Sequence, residues 1–227
     1  MTTGIDERLR ALDTCVLSDA MDALGYSGVI AGLASVWSSE RVAGQARTMK
    51  LRPLAEGEAT PHDAVHLGCR AVDAASAGEV IVVAHQGRTD SAGWGGLLSA
   101  AAAQVGVAAV VVDGAIRDVE DAARAGLPVF ARVATPVSAR GRTTEVAVNE
   151  PVVLAGCRVA PGDWVVADAN GVVVIAQSML PDVLDRAEAM AAREEQMRRR
   201  ILAGTPVSQV MDSRYEAMTT GASEDPA

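Results

Sequence analysis

Two short segments in the middle of the chain carry residues suited to binding an anion. The first, DSAGWGG, is rich in glycine and runs directly into a helix-forming sequence, LLSAAAAQVG. Backbone N–H groups at the start of a helix lack partners within it, and the helix dipole favours an anion there. Two interpretations stay open, a cradle for a carboxylate or phosphate and a plain tight turn before a packed helix. The residues concerned are Gly95, Gly96, Leu97 and Leu98.

The second segment, VVVDGAIRD, places Arg117 and Asp118 shortly after a buried strand that is predicted to end at Val112. An arginine offers a planar fork for a carboxylate, and an aspartate offers hard oxygen ligands for Mg²⁺ or Mn²⁺. Ligands of α/β folds bind at the carboxyl ends of strands, and both segments follow strands, so we expect them to meet over one edge of the sheet. The alternative is that Asp113 or Asp118 caps a helix and Arg117 forms a surface ion pair.

Residues elsewhere in the chain are weaker candidates for chemistry. His62 and His66 are four apart on a predicted helix, a spacing that suits two metal ligands, but no third ligand lies nearby and a packing role is the alternative. His85 is expected to end a strand, where it either lines a pocket or caps the strand edge. Asp168 precedes Asn170 and a glycine, a pattern that predicts an Asx-type turn.

The composition of the 227-residue chain excludes several functional classes. With 49% apolar and 22% charged residues, the chain has enough material for a folded core, unlike a disordered protein. A net charge of −9 with three Trp, two Tyr and one Phe argues against nucleic-acid binding, which uses basic faces and aromatic stacking. No apolar run approaches the roughly 20 residues of a membrane span, and no signal peptide is recognised. Three scattered cysteines are typical of a reducing compartment, so we expect a cytoplasmic protein without nucleic-acid or membrane partners.

Alternating strand and helix patterns predict α/β layering, followed by a valine-rich β region. Since no composition break divides the chain, we expect one domain over 1–227, with a core at about 14–202 and a disordered tail at about 215–227. A core of alanine and valine buries little area per side chain, which favours oligomerisation. The predicted helices are 5–24, with a cap for a second helix at Asp13 or Thr14, then 62–75, 97–106, 115–126 and 181–202; the predicted strands are 41–52, 79–85, 107–112 and 128–133, with further strands over 141–176.

Four stretches of the chain, taken together, resemble one known family. VLSDAMDALG, GGLLSAAAAQVGVAAVVVDGAIRD, GLPVFAR and PGDWVVADANGVVVI are similar to the class II 4-hydroxy-4-methyl-2-oxoglutarate aldolase / regulator of ribonuclease activity A family, over about residues 14–202. The most specific part is Gly96, then twenty residues, then Arg117 and Asp118. The resemblance implies a compact α/β domain of the swivelling β/β/α type, with central β layers flanked by helices. It also implies a homo-oligomer, a trimer or a hexamer, with sites at subunit interfaces.

The same resemblance implies an activity and a role for each matching residue. Catalytic members of the family are divalent-metal-dependent lyases that cleave oxo-diacids such as 4-hydroxy-4-methyl-2-oxoglutarate to pyruvate, or decarboxylate oxaloacetate, through a pyruvate enolate. Arg117 would bind the pyruvyl oxygens, and Asp118 would hold Mg²⁺ or Mn²⁺. Glu194 or Glu195 would reach the site of a neighbouring subunit. The substrate carboxylate would lie on the backbone N–H groups of Gly95, Gly96, Leu97 and Leu98.

This chain departs from the family pattern at Gly96, where aldolases of the family often carry an aspartate that orients a water molecule. An aspartate introduced at this position is expected to raise aldolase turnover, unless the backbone of Gly96 has a positive φ that would strain it.

Two other functions stay open on the sequence. A class I aldolase needs a lysine that forms a Schiff base, and Lys50, beside Arg47 and Arg52, is the only lysine of the chain. The resembling family also includes non-catalytic proteins that bind and inhibit a ribonuclease, and these keep the glycine-rich segment and the Arg–Asp pair. Metal-dependent release of pyruvate from oxaloacetate separates the enzyme from the regulator.

Overall fold

The computed structural model describes residues 4–58 and 65–211, in which helices and strands alternate along most of the chain. The helices are α1 (Ile5–Ala11), α2 (Thr14–Ala23), α3 (Cys69–Asp73), α4 (Gly96–Val105), α5 (Val119–Arg124), α6 (Leu180–Leu202) and α7 (Val207–Val210). The strands are β1 (Val29–Ile30), β2 (Ala34–Ser35), β3 (Val42–Pro53), β4 (Val80–Trp94), β5 (Ala109–Ile116), β6 (Val129–Ala134), β7 (Thr143–Val148), β8 (Val152–Leu154), β9 (Cys157–Val159), β10 (Trp164–Asp168) and β11 (Gly171–Ile175).

A mixed sheet organises the described part of the chain, in the strand order β1-β11-β10-β3-β4-β5-β6-β2, with β7 also paired to β3. Each neighbouring pair from β3 to β6 is parallel, so the carboxyl ends of these four strands reach the same edge. β10 and β11 form an antiparallel hairpin that joins the sheet through β3. The two segments singled out in the sequence follow β4 and β5, and the order therefore makes them spatial neighbours.

Alternation of side chains along the strands builds the layers. On β4, Ile81 and Val83 point into a cluster formed with α3, α4 and α5, whereas Val80 and Val82 point into a second cluster shared with β10 and β11. Successive side chains of a strand face opposite sides, so one valine-rich strand serves both clusters. The second cluster includes Phe130 and lies between two β layers, one formed by the parallel strands β3 to β6 and the other by the β10–β11 hairpin. This arrangement confirms the α/β class and the β/β/α layering expected from the sequence.

Helices α1, α2 and α6 cover the outer face of the β10–β11 hairpin. Val166 and Val173 point outward from the hairpin and pack against Leu17, Met21 and Leu184 of α2 and α6. The long helix α6 thus lies on the opposite side of the molecule's β layers from α4 and α5. None of the helices in residues 4–58 and 65–211 combines the length and hydrophobicity that crossing a bilayer requires.

The largest departure from the predicted elements concerns β4 and β5, which both run further than the sequence suggests. β4 continues beyond His85 to Trp94, so most of the glycine-rich segment is strand rather than turn. β5 continues beyond Val112 to Ile116, so Asp113 lies inside a strand and is neither part of a turn nor a helix cap.

The reason is a local irregularity that interrupts the apolar pattern without ending the pairing of the strands. Gln86 and Gly87 both have positive φ, +58° and +68°, which turns the chain sharply within β4. Beyond this point the register between β4 and β5 shifts three times, so apolar residues no longer alternate in a way that a sequence pattern detects. The pairs that continue the ladder are Arg88–Gly114, Ala92–Ala115 and Trp94–Ile116.

Two predicted helices are shorter than expected because residues with positive φ precede them. Gly68, at φ +84°, stands directly before α3, and residues 65–68 are not helical as the 62–75 prediction required. Asp118, at φ +58°, stands directly before α5, which therefore begins at Val119 rather than at residue 115. The first part of the 62–75 prediction, with His62, and the predicted tail at 215–227 lie outside the described residues. The other predicted helices and strands are present, and Asp13 caps α2.

Candidate active site

A cavity of about 500 Å³ lies at the edge of the sheet where the parallel strands β4, β5 and β6 end. Residues at the end of each strand line the cavity. They are Trp94, Gly95 and Gly96 at the end of β4, Arg117 and Asp118 after β5, and Ser138 and Arg140 after β6. This is the location that α/β folds use for ligands. The cavity also lies within the volume range of small-molecule sites.

Backbone and side-chain hydrogen bonds join the two segments that the sequence singled out. The backbone N–H of Arg117 donates to the carbonyl oxygen of Trp94 at 3.0 Å. The backbone N–H of Gly96 donates to Oδ2 of Asp118, also at 3.0 Å. The expected meeting of Gly95, Gly96, Leu97 and Leu98 with the Arg–Asp pair is therefore present, since all six residues line one cavity.

The carboxylate of Asp118 caps a neighbouring helix rather than its own. Asp118 occupies the position before α5 but makes no side-chain bond to that helix, and its Oδ2 instead accepts the first N–H of α4 from Gly96. Nε of Arg117 donates to both carboxylate oxygens, at 3.1 and 3.2 Å. The hydrogen bond from Gly96 and then Arg117 lower the pKa of Asp118 against the opposing effect of burial. At neutral pH the site therefore holds an ionised carboxylate.

The start of α4 presents free amides to the cavity. The N–H of Gly96 is used by Asp118, and the N–H of Ser99 donates to the carbonyl oxygen of Gly95. No acceptor for the N–H groups of Leu97 and Leu98 lies among residues 4–58 and 65–211. Two unsatisfied amides at the positive end of a helix favour the anion-cradle interpretation over that of a plain turn.

The packing around Gly96 argues against the expectation that an aspartate at this position raises turnover. Gly96 does not have positive φ, so backbone strain is not the obstacle. A Cβ at this position would lie 2.8 Å from Cβ of Asp121 and 3.0 Å from Cβ of Asp118, and neither atom is the flexible end of a side chain. A carboxylate there would also face two existing carboxylates. The glycine is needed because α4 and α5 approach each other too closely for any side chain.

We therefore expect Gly96→Ala and Gly96→Asp to destabilise the protein by about 1–3 kcal/mol, the usual cost of overpacking, and to lower activity by displacing Asp118. The measurement is the melting temperature together with the rate of pyruvate formation. Leu97→Ala is the control for stability, because the Leu97 residue is 89% exposed and removes no packed atoms. A Gly96→Asp variant with an unchanged melting temperature and faster turnover would contradict this account.

His85 has a structural position that neither sequence alternative foresaw. It is buried within β4, where it neither lines the cavity nor ends the strand. Its Nε2 lies 2.8 Å from the carbonyl oxygen of Ser91, which requires a proton on Nε2. Burial lowers the pKa of His85, so the imidazole is neutral at pH 7. A Cβ on Gly93 or Gly114 would lie within 3.0 Å of the imidazole side chain, so both strands pack directly on it.

The segment before α3 forms a wall of the cavity that sequence reasoning missed. His66, Leu67 and Cys69 line the cavity. The carboxylate of Glu145 on β7 holds this segment, since it accepts the N–H of Gly68 at 2.7 Å. His66 is exposed, and its predicted partner His62 lies outside the described residues. No sequence signal links Glu145 to this segment, because the pairing of β7 with β3 that brings them together joins distant parts of the chain.

Several other predicted residues lie away from the cavity within a single chain. Lys50 is exposed on β3 and does not line the cavity, so the position of the only lysine gives no support to a Schiff-base mechanism. Glu195 pairs with Arg199 on its own helix, at 2.9 Å. Glu194 is partly buried, and burial followed by the charges of Asp13 and Asp19 raises its pKa. Neither glutamate reaches the cavity of its own chain.

The predicted Asx-type turn at Asp168 is present. Oδ1 of Asp168 accepts the N–H of Asn170 at 2.9 Å. The same carboxylate also accepts the hydroxyl and the backbone N–H of Thr14, at 2.7 and 2.9 Å. Asp168 therefore ties the β10–β11 turn to the start of α2 and has a structural role.

The donor set around Asp118 fits a hydrated divalent cation. In the part of the chain that the structure describes, no group of three or more His, Cys, Asp or Glu side chains is arranged to hold a metal. Mg²⁺ does not need such a group, because it keeps several waters and binds through one or two carboxylates plus substrate oxygens. The side chain of Asp118 is 34% exposed, lines the cavity, and uses only part of its lone-pair capacity on Gly96 and Arg117.

Comparison with known proteins gives consistent matches over most of the chain. A family model described as RraA-like, Aldolase/RraA, matches residues 14–174. A protein named "Putative 4-hydroxy-4-methyl-2-oxoglutarate aldolase" from Halalkalibacterium halodurans is 32% identical over 194 residues, which cover 86% of this chain and 87% of that protein. Protein DlpA from Legionella pneumophila is 28% identical over 206 residues, which cover 91% of this chain. The chain spans only 33% of the length of DlpA, and 64% of a second curated relative.

A solved structure supports the same likeness at the level of the fold. Streptomyces coelicolor RraAS2, described as an unusual member of the RNase ES inhibitor RraA protein family, superimposes with a TM-score of 0.77 at 26% identity. The match covers 86% of this chain and 95% of that chain.

Proposed function

The chain belongs to the RraA-like family, and from this membership together with the geometry of the cavity we propose that it is a divalent-metal-dependent carbon–carbon lyase. Its substrates would be oxo-diacids of the 4-hydroxy-4-methyl-2-oxoglutarate type, cleaved to pyruvate by a retro-aldol reaction, or oxaloacetate, which is decarboxylated to pyruvate. The observation that carries the proposal is the hydrogen bond between the N–H of Gly96 and Asp118, which joins an anion cradle to an ionised carboxylate beside Arg117.

The residues of the cavity match the parts of a 2-oxo acid. The C1 carboxylate would accept the free N–H groups of Leu97 and Leu98 at the start of α4. Arg117 keeps its terminal nitrogens for the pyruvyl oxygens, because only its Nε donates to Asp118. A divalent metal bound by Asp118, Mg²⁺ or Mn²⁺, would act as a Lewis acid that stabilises negative charge on the 2-oxo oxygen.

Both reactions require these residues to stabilise the negative charge of a pyruvate enolate. In decarboxylation of oxaloacetate the C3–C4 bond breaks, CO₂ leaves, and the electron pair moves into the pyruvyl group as an enolate that is then protonated at C3. In the retro-aldol reaction the same electron pair is released when the 4-hydroxyl loses its proton and C4 becomes a carbonyl. Arg117 would hold the charge that grows on the enolate oxygen, and a positive group fixed in place before the reaction stabilises such charge most effectively.

We expect chelation to lower pyruvate formation from oxaloacetate at least about tenfold. One protein carboxylate binds a divalent cation with modest affinity, so a chelator should remove the metal that the reaction needs. Excess Mg²⁺ or Mn²⁺ should restore the rate. Pyruvate is measured by coupling to lactate dehydrogenase, and a protein-free sample with the same metal corrects for decarboxylation by the cation alone. Full activity after exhaustive chelation would contradict the metal-dependent mechanism.

A second candidate function is that of a protein-binding regulator of a ribonuclease. It is favoured by the likeness to RraAS2, whose description names an RNase ES inhibitor family, and by the acidic net charge of −9. The same assay separates the two functions, since a regulator without catalysis gives no metal-dependent pyruvate. The proposed homo-oligomer, a trimer or hexamer in which Glu194 or Glu195 reaches a neighbouring cavity, is checked by sedimentation of the full chain.

A further inference from the structure

The loop after β6 brings a third set of groups to the cavity, beyond the two segments discussed so far. Residues 135–142 follow Ala134, the last residue of β6, and Ser138, Ala139 and Arg140 line the cavity. The loop is held in place by its backbone. The N–H of Ala92 donates to the carbonyl oxygen of Val137 at 3.0 Å, and Ala139 is buried with only 5% exposure.

The guanidinium of Arg140 is a cation without a counter-charge. Within residues 4–58 and 65–211, no acceptor contacts its side chain, whereas two nearby arginines are engaged. Arg142 donates to the carbonyl oxygens of Ser138 and Arg140, at 3.2 and 3.4 Å, and Arg88 forms an ion pair with Asp90 at 2.7 Å. The backbone of Arg140 is therefore fixed while its charge stays available to the cavity.

The charges lining the cavity do not balance. Among residues 4–58 and 65–211, the arginines that line it are Arg117 and Arg140, and the acidic residue that lines it is Asp118. Because Arg117 already pairs with Asp118, the charge of Arg140 is the excess. A 2-oxo monocarboxylate would satisfy the amides of Leu97 and Leu98 together with Arg117 and would leave Arg140 unused. A second carboxylate on the ligand would remove the excess.

We propose that Arg140 binds the distal carboxylate of the substrate and makes the cavity selective for 2-oxo dicarboxylates over 2-oxo monocarboxylates. This inference rests on the proposed function, in which the C1 carboxylate lies on α4. Arginine suits the role because its planar fork makes two parallel hydrogen bonds to a carboxylate. The hydroxyl of Ser138, which accepts the N–H of Arg140 at 3.1 Å, remains able to donate to the same carboxylate.

The test compares two ligands that differ only at the distal end. 2-Oxoglutarate and 2-oxopentanoate share a five-carbon 2-oxo acid chain, and only the former ends in a carboxylate. Neither has the 4-hydroxyl or 3-carboxyl group that the proposed reactions consume, so calorimetry with Mg²⁺ measures binding without turnover. We expect the full chain to bind 2-oxoglutarate at least about tenfold more tightly than 2-oxopentanoate, as a charge-assisted hydrogen-bonded pair requires.

The variants assign this preference to one residue. Arg140→Gln should remove the preference by weakening 2-oxoglutarate binding alone, and Arg140→Lys should restore part of it through a point charge. Arg158→Gln is the matched control, because it makes the same charge change on β9, where Arg158 is exposed and lines a separate cavity. It should keep the full preference.

Each outcome of this experiment either supports or overturns the assignment of the distal carboxylate to Arg140. A preference that survives in Arg140→Gln, or that is lost equally in Arg158→Gln, overturns the assignment to Arg140. The absence of a preference in the unmodified chain overturns it as well. If the preference is present and depends on Arg140 but no pyruvate forms from oxaloacetate, the subsite stands and the proposed reaction fails. If neither ligand binds, both are overturned.

Discussion

Replacing Arg117 by alanine is expected to lower kcat/KM for pyruvate formation by about a hundredfold or more. The reason is that a fixed positive group beside a developing enolate contributes more to the transition state than to the bound substrate. The loss should therefore fall mainly on kcat. The protein should stay folded, because the side chain of Arg117 is 39% exposed and the backbone bond from its N–H to Trp94 does not depend on the side chain.

The matched control for this prediction is Arg124→Ala. Arg124 lies on α5 and does not line the cavity, and its side chain is 72% exposed in an ion pair with Asp121. It should retain near-normal turnover. Arg117→Lys should recover only part of the activity, since a lysine keeps the charge but not the fork. Normal turnover of Arg117→Ala with an unchanged circular dichroism spectrum would show that the reaction takes place elsewhere.

Asp118→Asn is expected to lose activity to a similar extent, about a hundredfold or more, together with its response to added Mg²⁺. The asparagine is chosen because its amide oxygen can still accept the N–H of Gly96 and so preserve the cap of α4. The expected change in melting temperature is small. Asp118→Ala removes the cap as well, and it should cost about 1 kcal/mol of stability in addition to the activity.

Two measurements check this prediction, the rate as a function of Mg²⁺ concentration and the melting temperature of both variants. Asp121→Asn is the control, because Asp121 carries the same charge on the same turn of chain but bonds to Arg124 and does not line the cavity. An Asp118→Asn variant that keeps a normal Mg²⁺ dependence would exclude Asp118 as the metal ligand.

The sequence predicts those parts of the site whose structure depends only on residues close together in the chain. The start of α4 could be located because an alanine-rich helix former follows a glycine pair, and Gly106 ends the helix at φ +86°. The Arg–Asp pair could be placed near it because both follow predicted parallel strands. These are properties of short segments, and they survive the error in where β4 and β5 end.

The sequence was uninformative where a residue's role depends on a partner distant in the chain. The carboxylate of Asp118 caps α4 rather than α5, and no local pattern distinguishes the two. The wall at His66 depends on a hydrogen bond to Glu145, which the pairing of β3 and β7 brings close from a distant part of the chain. The close approach of Asp121 to Gly96 also joins residues of two different helices, and no sequence pattern reveals it.

His85 packs between Gly93 and Gly114 and, without lining the cavity, supports the two strands that form its wall. The two glycines lie on the strands that lead to Trp94 and Arg117, and a Cβ on either glycine would lie within 3.0 Å of the imidazole side chain. Any change in the size of that ring alters the spacing between the two strand exits. A complete mutational scan scored for activity would therefore show two bands of intolerant positions, one on the cavity wall and a second one beneath it at residues that contact no substrate.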